Sequence, residues 1–408
     1  MTEHEPVGPT LAERRARMVL TTFDAPGHPA LCGAVLEHGP LKALEMLGKG
    51  AFTPRTVDVG DRLRVATEAL DGQLELADRT GARYVCPGDT EWLAGLYDLA
   101  EADVRNGVGG MPIGLWLRGP LALGGLAGGH PGEAGGEAVA MVGSRAASDY
   151  GIYVAGEIAA GLADAGVRVV SGAAYGIDGA AHRGALAAAG GETVAVLACG
   201  ADVAYPRSND GLLGRIAADG LVVSESALGS TPTRRRFLIR NRLVAALAQA
   251  TVIVEATTHS GTTSTAEWAV ACSRSVLAVP GPVTSALSAG THSWIRDFDA
   301  GLVTNADDVL RHVKPLGSVR EPVRRLGPVS GRSTLGDDAA VVLDALPARA
   351  DVAVAQVRAE TGLELGAVLA RLGELDLAGF VERTPSGWRL SDRERANIRA
   401  ESRARRDR

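Results

Sequence analysis

Lysine is nearly absent from this chain. Lys42, Lys49 and Lys314 are the only three in 408 residues, so arginine carries almost all of the positive charge. Lys and Arg together number 42 against 48 Asp and Glu, a formal net charge of -6. A chain of that balance repels polyanions weakly as a whole, so any attraction to nucleic acid must come from a local basic cluster. Cysteine is sparse too. Cys32, Cys86, Cys199 and Cys272 stand far apart, with no CxxC or Cys/His grouping, which argues against a zinc site and against a disulfide framework. No uninterrupted apolar run approaches the ~18 residues of a membrane span. The first thirty residues lack the apolar stretch of a secretory signal, so a cytoplasmic location is expected. No GxxxxGK[ST] occurs, and no GxGxxG follows the first strand of the nucleotide-fold pattern described below. P-loop hydrolysis is therefore unsupported and NAD or FAD binding disfavoured. The reading implies no metal, no cofactor and no membrane association.

What is present falls into blocks. Residues 1–118 read as an N-terminal module of mostly short helices, with helical periodicity over Leu41–Leu47 and Trp92–Leu96. A Gly/Pro-rich stretch follows, from Gly119 to Gly136. From Ala138 the pattern changes. Short apolar runs at 138–142, 167–170, 193–197, 221–223, 251–254 and 275–279 alternate with amphipathic segments. Uninterrupted apolar strands of this kind imply an α/β domain over 119–310, a doubly wound, Rossmann-like parallel sheet covered on both faces. Ligands of such sheets lie at the carboxyl ends of the strands. Residues 311–336 read as a basic linker. Residues 337–390 read as a winged helix, with helices over 339–346, after a capping Asp351, and over Leu365–Leu377, then a two-stranded wing around Thr384-Pro385-Ser386. Residues 391–408 form a charged tail.

Four loops at predicted strand ends carry small or basic groups. The first is Gly143-Ser144-Arg145, where glycine lets a backbone approach closely and arginine offers a forked phosphate partner. The second is Ser171-Gly172-Ala173-Ala174-Tyr175-Gly176-Ile177-Asp178, leading into a helix. There Asp178 and His182 share a helical face, and a cap plus a packed histidine is favoured over an acid/base pair because no nucleophile or metal set accompanies them. The third, Arg234-Arg235-Arg236-Phe237-Leu238-Ile239-Arg240-Asn241-Arg242, puts five arginines and one aromatic into nine residues, just ahead of an expected helix over Leu243–Gln249. Arginine heads neutralise phosphates and Phe237 can stack on a base. The fourth, Ser260-Gly261-Thr262-Thr263, enters a helix and points amides and hydroxyls at an anion. Their convergence on one sheet edge indicates a phosphate-bearing ligand, without choosing between a polymer and a mononucleotide.

In this order the motifs resemble those of the DNA-processing protein A (DprA/Smf) family, together with Val279-Pro280-Gly281, over roughly Trp116 to Asn305. The resemblance extends to a SAM-like or helix-hairpin-helix-like module at the amino end and a winged helix at the carboxyl end. It implies a protein that is not an enzyme. Such a protein binds and protects single-stranded DNA on the Rossmann-like domain, loads the recombinase RecA during natural transformation, and forms a homodimer. By the same resemblance Gly143, Ser144 and Arg145 hold phosphate, and Ser171 and Gly172 line the pocket. Arg234 makes a basic contact, Phe237 touches a base, Arg240 and Arg242 complete a positive rim, and Ser260, Gly261 and Thr262 form the last loop. Two other readings compete. One is an enzyme resembling the nucleoside-monophosphate phosphoribohydrolases, with Arg145 and Glu267 in its site, although the PGGxGT core of that family is missing. The other is a duplex-DNA regulator reading the major groove with Leu365–Leu377, where Glu374 and Asp376 oppose a single Arg371.

Overall fold

A computed structural model of the chain describes residues 8–23, 26–53, 58–126, 136–258, 260–314, 335–347 and 350–396. The chain divides into two compact units, Met1–Glu321 and Pro322–Arg408. The first opens with four helices, α1 (Leu11–Phe23), α2 (Pro29–His38), α3 (Pro40–Gly48) and α4 (Val59–Thr80). A strand β1 (Ala82–Val85), a short helix α5 (Asp98–Glu101) and a strand β2 (Leu115–Arg118) follow. The alternating part then runs β3 (Ala138–Val142), α6 (Asp149–Asp164), β4 (Arg168–Ser171), α7 (Ile177–Ala185), β5 (Thr193–Leu197), α8 (Asp210–Asp219) and β6 (Leu221–Ser224). It continues with α9 (Arg234–Ala246), β7 (Ala250–Ile253), α10 (Gly261–Ala271), β8 (Ser275–Ala278), α11 (Ala289–Asp297), β9 (Gly301–Leu302) and α12 (Ala306–Val313).

One nine-stranded sheet results, in the order β1-β2-β6-β5-β4-β3-β7-β8-β9. The six apolar runs read from sequence are its strands β3 to β8. All neighbours from β6 to β9 pair in parallel. The chain steps outward from β3 to β6, then returns to the other side of β3 as β7. That reversal places a topological switch point between β3 and β7, where the loops leaving the two strands diverge and open a crevice. Successive side chains alternate between faces. Val139 and Met141 point into a core with α6, α7 and α12, while Ala138, Ala140 and Val142 point into another with α9, α10 and Trp294 of α11. Because both faces are covered, the strands need no polar alternation, which is why they read as continuous apolar runs.

The amino-terminal stretch is less purely helical than its periodicity implies. Its β1 and β2 pair with each other and, through β2, antiparallel to β6 at the sheet edge. Residues Trp92–Leu96 form only a single 3₁₀ turn, over Ala94–Leu96. The helices α1 to α4 share a core with Trp116, Ala195, Leu197 and Val222 of the sheet. Gln73 of α4 makes a two-way amide link to the Leu228 backbone, at 3.0 and 2.8 Å. Arg311 and Lys314, at the start of the predicted linker, belong to α12 and its end: Arg311 pairs with Asp308 at 2.8 Å and Lys314 donates to the Ala165 carbonyl at 2.8 Å. The linker's Arg320, Arg324, Arg325 and Arg332 lie outside the described residues.

The second unit carries α13 (Asp337–Asp344), α14 (Val354–Thr361), α15 (Leu365–Leu377), β10 (Val381–Thr384) and β11 (Gly387–Leu390). Its core joins Val342, Leu343, Val357, Val368, Leu372 and Leu375 to Val381, Trp388 and Leu390. Asp351 is not the cap expected of it. Ala353 holds that position, and the Asp351 carboxylate instead accepts hydroxyl hydrogen bonds from Thr384 and Ser386, tying the wing's turn to the segment before α14.

Candidate nucleic-acid interface

A cleft of about 680 Å³ opens at the switch point. Gly143, Ser144 and Arg145 line it from the end of β3, Ala174 and Asp178 from the end of β4, and Ser260, Gly261 and Thr262 from beyond β7. The first two turns of α9 supply Arg234, Phe237, Leu238, Arg240 and Asn241. The sequence reading placed the arginine block ahead of its helix, but the block is the helix. Thr233 caps α9, its hydroxyl accepting from the Arg236 amide at 3.3 Å. The helix then runs from the cleft rim into the core, so Arg234 and Arg235 are exposed while Arg240 and Arg242 are buried.

Gly143 is required by packing as well as by the cleft. A Cβ there would lie 2.5 Å from the Ile177 side chain and 3.0 Å from the Glu255 carbonyl oxygen. Behind it the Ser144 amide donates to that same Glu255 carbonyl at 2.8 Å, and the Ser144 carbonyl accepts from Ile177 at 3.2 Å. The Glu255 carboxylate takes the amide and hydroxyl of Ser148, at 2.9 and 2.5 Å, at the start of α6. The loop after β3 is thereby held from both sides, with the Arg145 side chain free to project. The Arg145 guanidinium lies 4.5 Å from the centroid of the Phe237 ring. The Phe237 ring in turn meets Tyr205, centroids 5.6 Å apart and planes tilted by 56°. Neither Arg145 nor Arg234 has an ion pair among the described residues.

Arg240 forms the floor. It is 6% exposed, and its guanidinium stands 3.9 Å from the Asp178 carboxylate. Burial pushes the Asp178 carboxyl above its ordinary range, an effect that the Arg240 charge partly offsets. Arg240 Nε has no hydrogen-bond partner among the described residues, and neither does the buried Ser260 hydroxyl. Both residues line the cleft, so its wall holds two buried polar groups without a protein partner among the described residues. Asn241 donates to the Gly261 carbonyl at 3.3 Å and so ties α9 to the start of α10. Neither α9 nor α10 has an acid in its first turn. Both amino termini therefore present uncompensated positive potential, and α9 adds Arg234, Arg235 and Arg236 to it. Exposed like charges at a helix end cost about 0.3–1 kcal/mol each, a cost that an anion there removes.

Three predicted site residues lie elsewhere. Ser171 is fully buried and donates to the Met141 carbonyl at 2.6 Å, bracing β4 against β3. Gly172 lies beneath Arg240: a Cβ there would sit 1.2 Å from Arg240 Nη1, so glycine makes room for the guanidinium and does not itself line the cleft. Arg242 is 0% exposed and pairs with the buried Glu225 at 2.7 Å, away from the rim. Of the pair Asp178 and His182, the packed histidine holds but the cap does not: Gly176 stands at the cap of α7, and the Asp178 carboxylate, in the first turn, accepts from the Ala174 amide at 3.4 Å and faces Arg240. His182 is buried, with Nδ1 2.8 Å from the Thr193 hydroxyl, and burial pushes its pKa down to about 3. Sequence reasoning missed Tyr205 and Asn241. Asn241 lay inside the quoted block but was overshadowed by its arginines. Tyr205 stands in the loop after β5, which the rule of carboxyl strand ends would have flagged.

The architecture defines a Rossmann-like protein with a basic crevice at its switch point and a separate winged-helix unit. The family model for DNA recombination-mediator protein A matches residues 112–314, and that for the DprA winged helix domain matches residues 329–387. A DNA processing protein DprA of Mycobacterium tuberculosis is 41% identical over 379 residues, which is 92% of this chain and 94% of that protein. Protein Smf of Escherichia coli is 33% identical over 263 residues, covering 61% of this chain and 67% of its own length. The X-ray structure of DNA processing protein A from Streptococcus pneumoniae superposes with a TM-score of 0.57 at 30% identity, covering 76% of this chain and 100% of that one. The chain belongs to the DprA/Smf family of DNA-processing proteins. Among the described residues no helix is long and apolar enough to cross a membrane.

Proposed function

We propose that this protein binds single-stranded DNA in the switch-point cleft, protects it and delivers it to the recombinase RecA, without catalysing a reaction of its own, in the cytoplasm. The observation that carries the reading is the convergence of Arg145, Arg234 and Arg240 with the open amino terminus of α10, in a chain whose net charge is -6. An aromatic pair, Phe237 and Tyr205, lies among those arginines, and interleaved cations and π-faces suit single strands of any sequence. The S. pneumoniae relative is described as a DNA processing protein, which supports a polymer ligand over a mononucleotide. The phosphoribohydrolase reading fares worse because Glu267 does not line the cleft, and among the described residues the one carboxylate that does, Asp178, is buried against Arg240. The duplex-regulator reading fares worse because α15 turns Leu365, Leu369 and Leu377 outward within its unit, where a groove-reading helix needs basic and polar side chains. Homodimerisation has support at the β9 edge, where Phe298 and Leu302 are exposed beside a strand side that has no partner among the described residues.

The test is fluorescence anisotropy of labelled oligo-dT across a salt series, with same-length duplex and AMP as competitors. Salt-sensitive binding that neither competitor displaces is expected. Displacement by AMP would favour the hydrolase, and displacement by duplex the regulator. Acceleration of RecA filament formation on coated single strands, reduced in the Arg145→Ala variant in step with its lower strand affinity, would test delivery.

A further inference from the structure

Phe237 is the aromatic of the basic block, yet it is not the open stacking face of the cleft. It is half-buried, with the Arg145 guanidinium at 4.5 Å and the Tyr205 ring against it. The aromatic on the cleft lining that remains open to solvent is Tyr205, 40% exposed.

The loop that carries Tyr205 is held in place before any ligand arrives. The Gly200 amide donates to the Ser230 carbonyl at 2.9 Å, and the Asp202 carboxylate accepts from the Gly229 amide at 2.8 Å, lacing the loop after β5 to the loop after β6. Four residues beyond Tyr205, Asn209 donates to the carbonyls of Ala173 and Ala174 at 3.0 and 3.4 Å, fastening the segment to the β4 end of the cleft. Between these anchors Arg207 is exposed and has no ion pair among the described residues. An exposed tyrosine loses little conformational entropy when a base covers it, and a preorganised one loses less.

Resting on the single-strand reading above, we infer that Tyr205 is the base-stacking residue of the cleft, that Phe237 serves as its buttress and as the seat of Arg145, and that the strand leaves the cleft past Tyr205 toward Arg207. The phosphate grip belongs to arginines and helix ends, which are blind to bases. Tyr205 supplies the contact that requires a base to be present. The two contributions are therefore separable by removing bases while keeping phosphates.

The experiment compares oligo-dT with an abasic oligomer of equal length, using the full chain and its Tyr205→Ala, Tyr205→Phe and Arg207→Ala variants. Tyr205→Ala is expected to weaken oligo-dT binding by roughly 5- to 150-fold, the range for loss of one aromatic–base stack, and to leave abasic binding within about twofold. Tyr205→Phe retains wild-type affinity for both. Arg207→Ala weakens both ligands equally and lowers the salt slope, as the loss of a phosphate contact does. Equal loss on both ligands in Tyr205→Ala would make the residue structural and overturn the assignment. Unchanged oligo-dT binding in that variant would also overturn it, with the single-strand reading intact. Failure of the unmodified protein to bind oligo-dT at all would remove the parent reading and this one together.

Discussion

The two halves of α9 are built from the same residue and do opposite work. At the rim, Arg234 and Arg235 are exposed and free of ion pairs among the described residues. On the floor, Arg240 and Arg242 are at most 6% exposed and face the buried carboxylates of Asp178 and Glu225. A cluster of five arginines in nine residues looks like one electrostatic feature. Folding splits it, because a helix that enters a core turns successive positions from solvent to interior within two turns. On the single-strand reading proposed above, rim charges set attraction to a polyanion and its salt dependence. Floor charges set stability and the shape of the site, because an unpaired buried charge is far more costly than an unpaired exposed one.

The sharpest way to break this division is Arg242→Ala. It strands the Glu225 carboxylate in the core and is expected to cost about 3–5 kcal/mol of stability, read by urea unfolding. The folded fraction should keep its affinity for oligo-dT. Lost affinity at unchanged stability would return Arg242 to the rim. Next is Gly172→Ala, whose new methyl collides with the Arg240 guanidinium. Overpacking of this kind costs about 1–3 kcal/mol, and the displaced Arg240 should weaken strand binding as well, so this floor position alone is expected to move both readouts.

The buried core behind the cleft carries a pH signature of its own. Buried His182 has its pKa lowered to about 3 from an ordinary 6.5, so the folded protein holds it neutral where the unfolded chain protonates it. The stability this contributes is fully present above pH 6.5 and is lost as pH falls from there toward 3, at about 1.4 kcal/mol per pH unit for this one group. Stability measured from pH 7 to 5 should fall less steeply in His182→Asn than in the unmodified chain; an identical slope would refute the buried neutral state. The smallest expected effects are at the rim. Arg145→Ala and Arg234→Ala should each lower the slope of log affinity against log salt by about 0.7, with stability unchanged within about 0.5 kcal/mol. A large stability loss in Arg234→Ala would erase the distinction between the halves of the helix.

Much of this architecture was legible from residue pattern. The strands β3 to β8 are apolar throughout because the sheet is covered on both sides, and that signal does not depend on distant partners. The cleft loops were legible because ligands of doubly wound sheets gather at carboxyl strand ends. The strands β1 and β2 were not read, because they lie in a stretch of mostly helical periodicity and take their place only by pairing at the β6 edge. The fate of the arginines was not legible either. Nothing local separates Arg234 from Arg242; the difference lies in Glu225 and Asp178, 17 and 62 positions away from their partners Arg242 and Arg240. Ser171 misled for a related reason: its hydroxyl is spent on the Met141 carbonyl of the adjacent strand, a partner set by sheet order.

The central claim is that the strand lies in the switch-point cleft, and photocrosslinking tests it most directly. The full chain, bound to an oligo-dT carrying a single photoreactive thymine analogue, would be irradiated, digested and mapped by mass spectrometry. The account predicts adducts on the peptides bearing Tyr205 and Phe237, suppressed by unlabelled oligo-dT. Adducts confined to residues 337–390, with the cleft peptides unmodified, would contradict it.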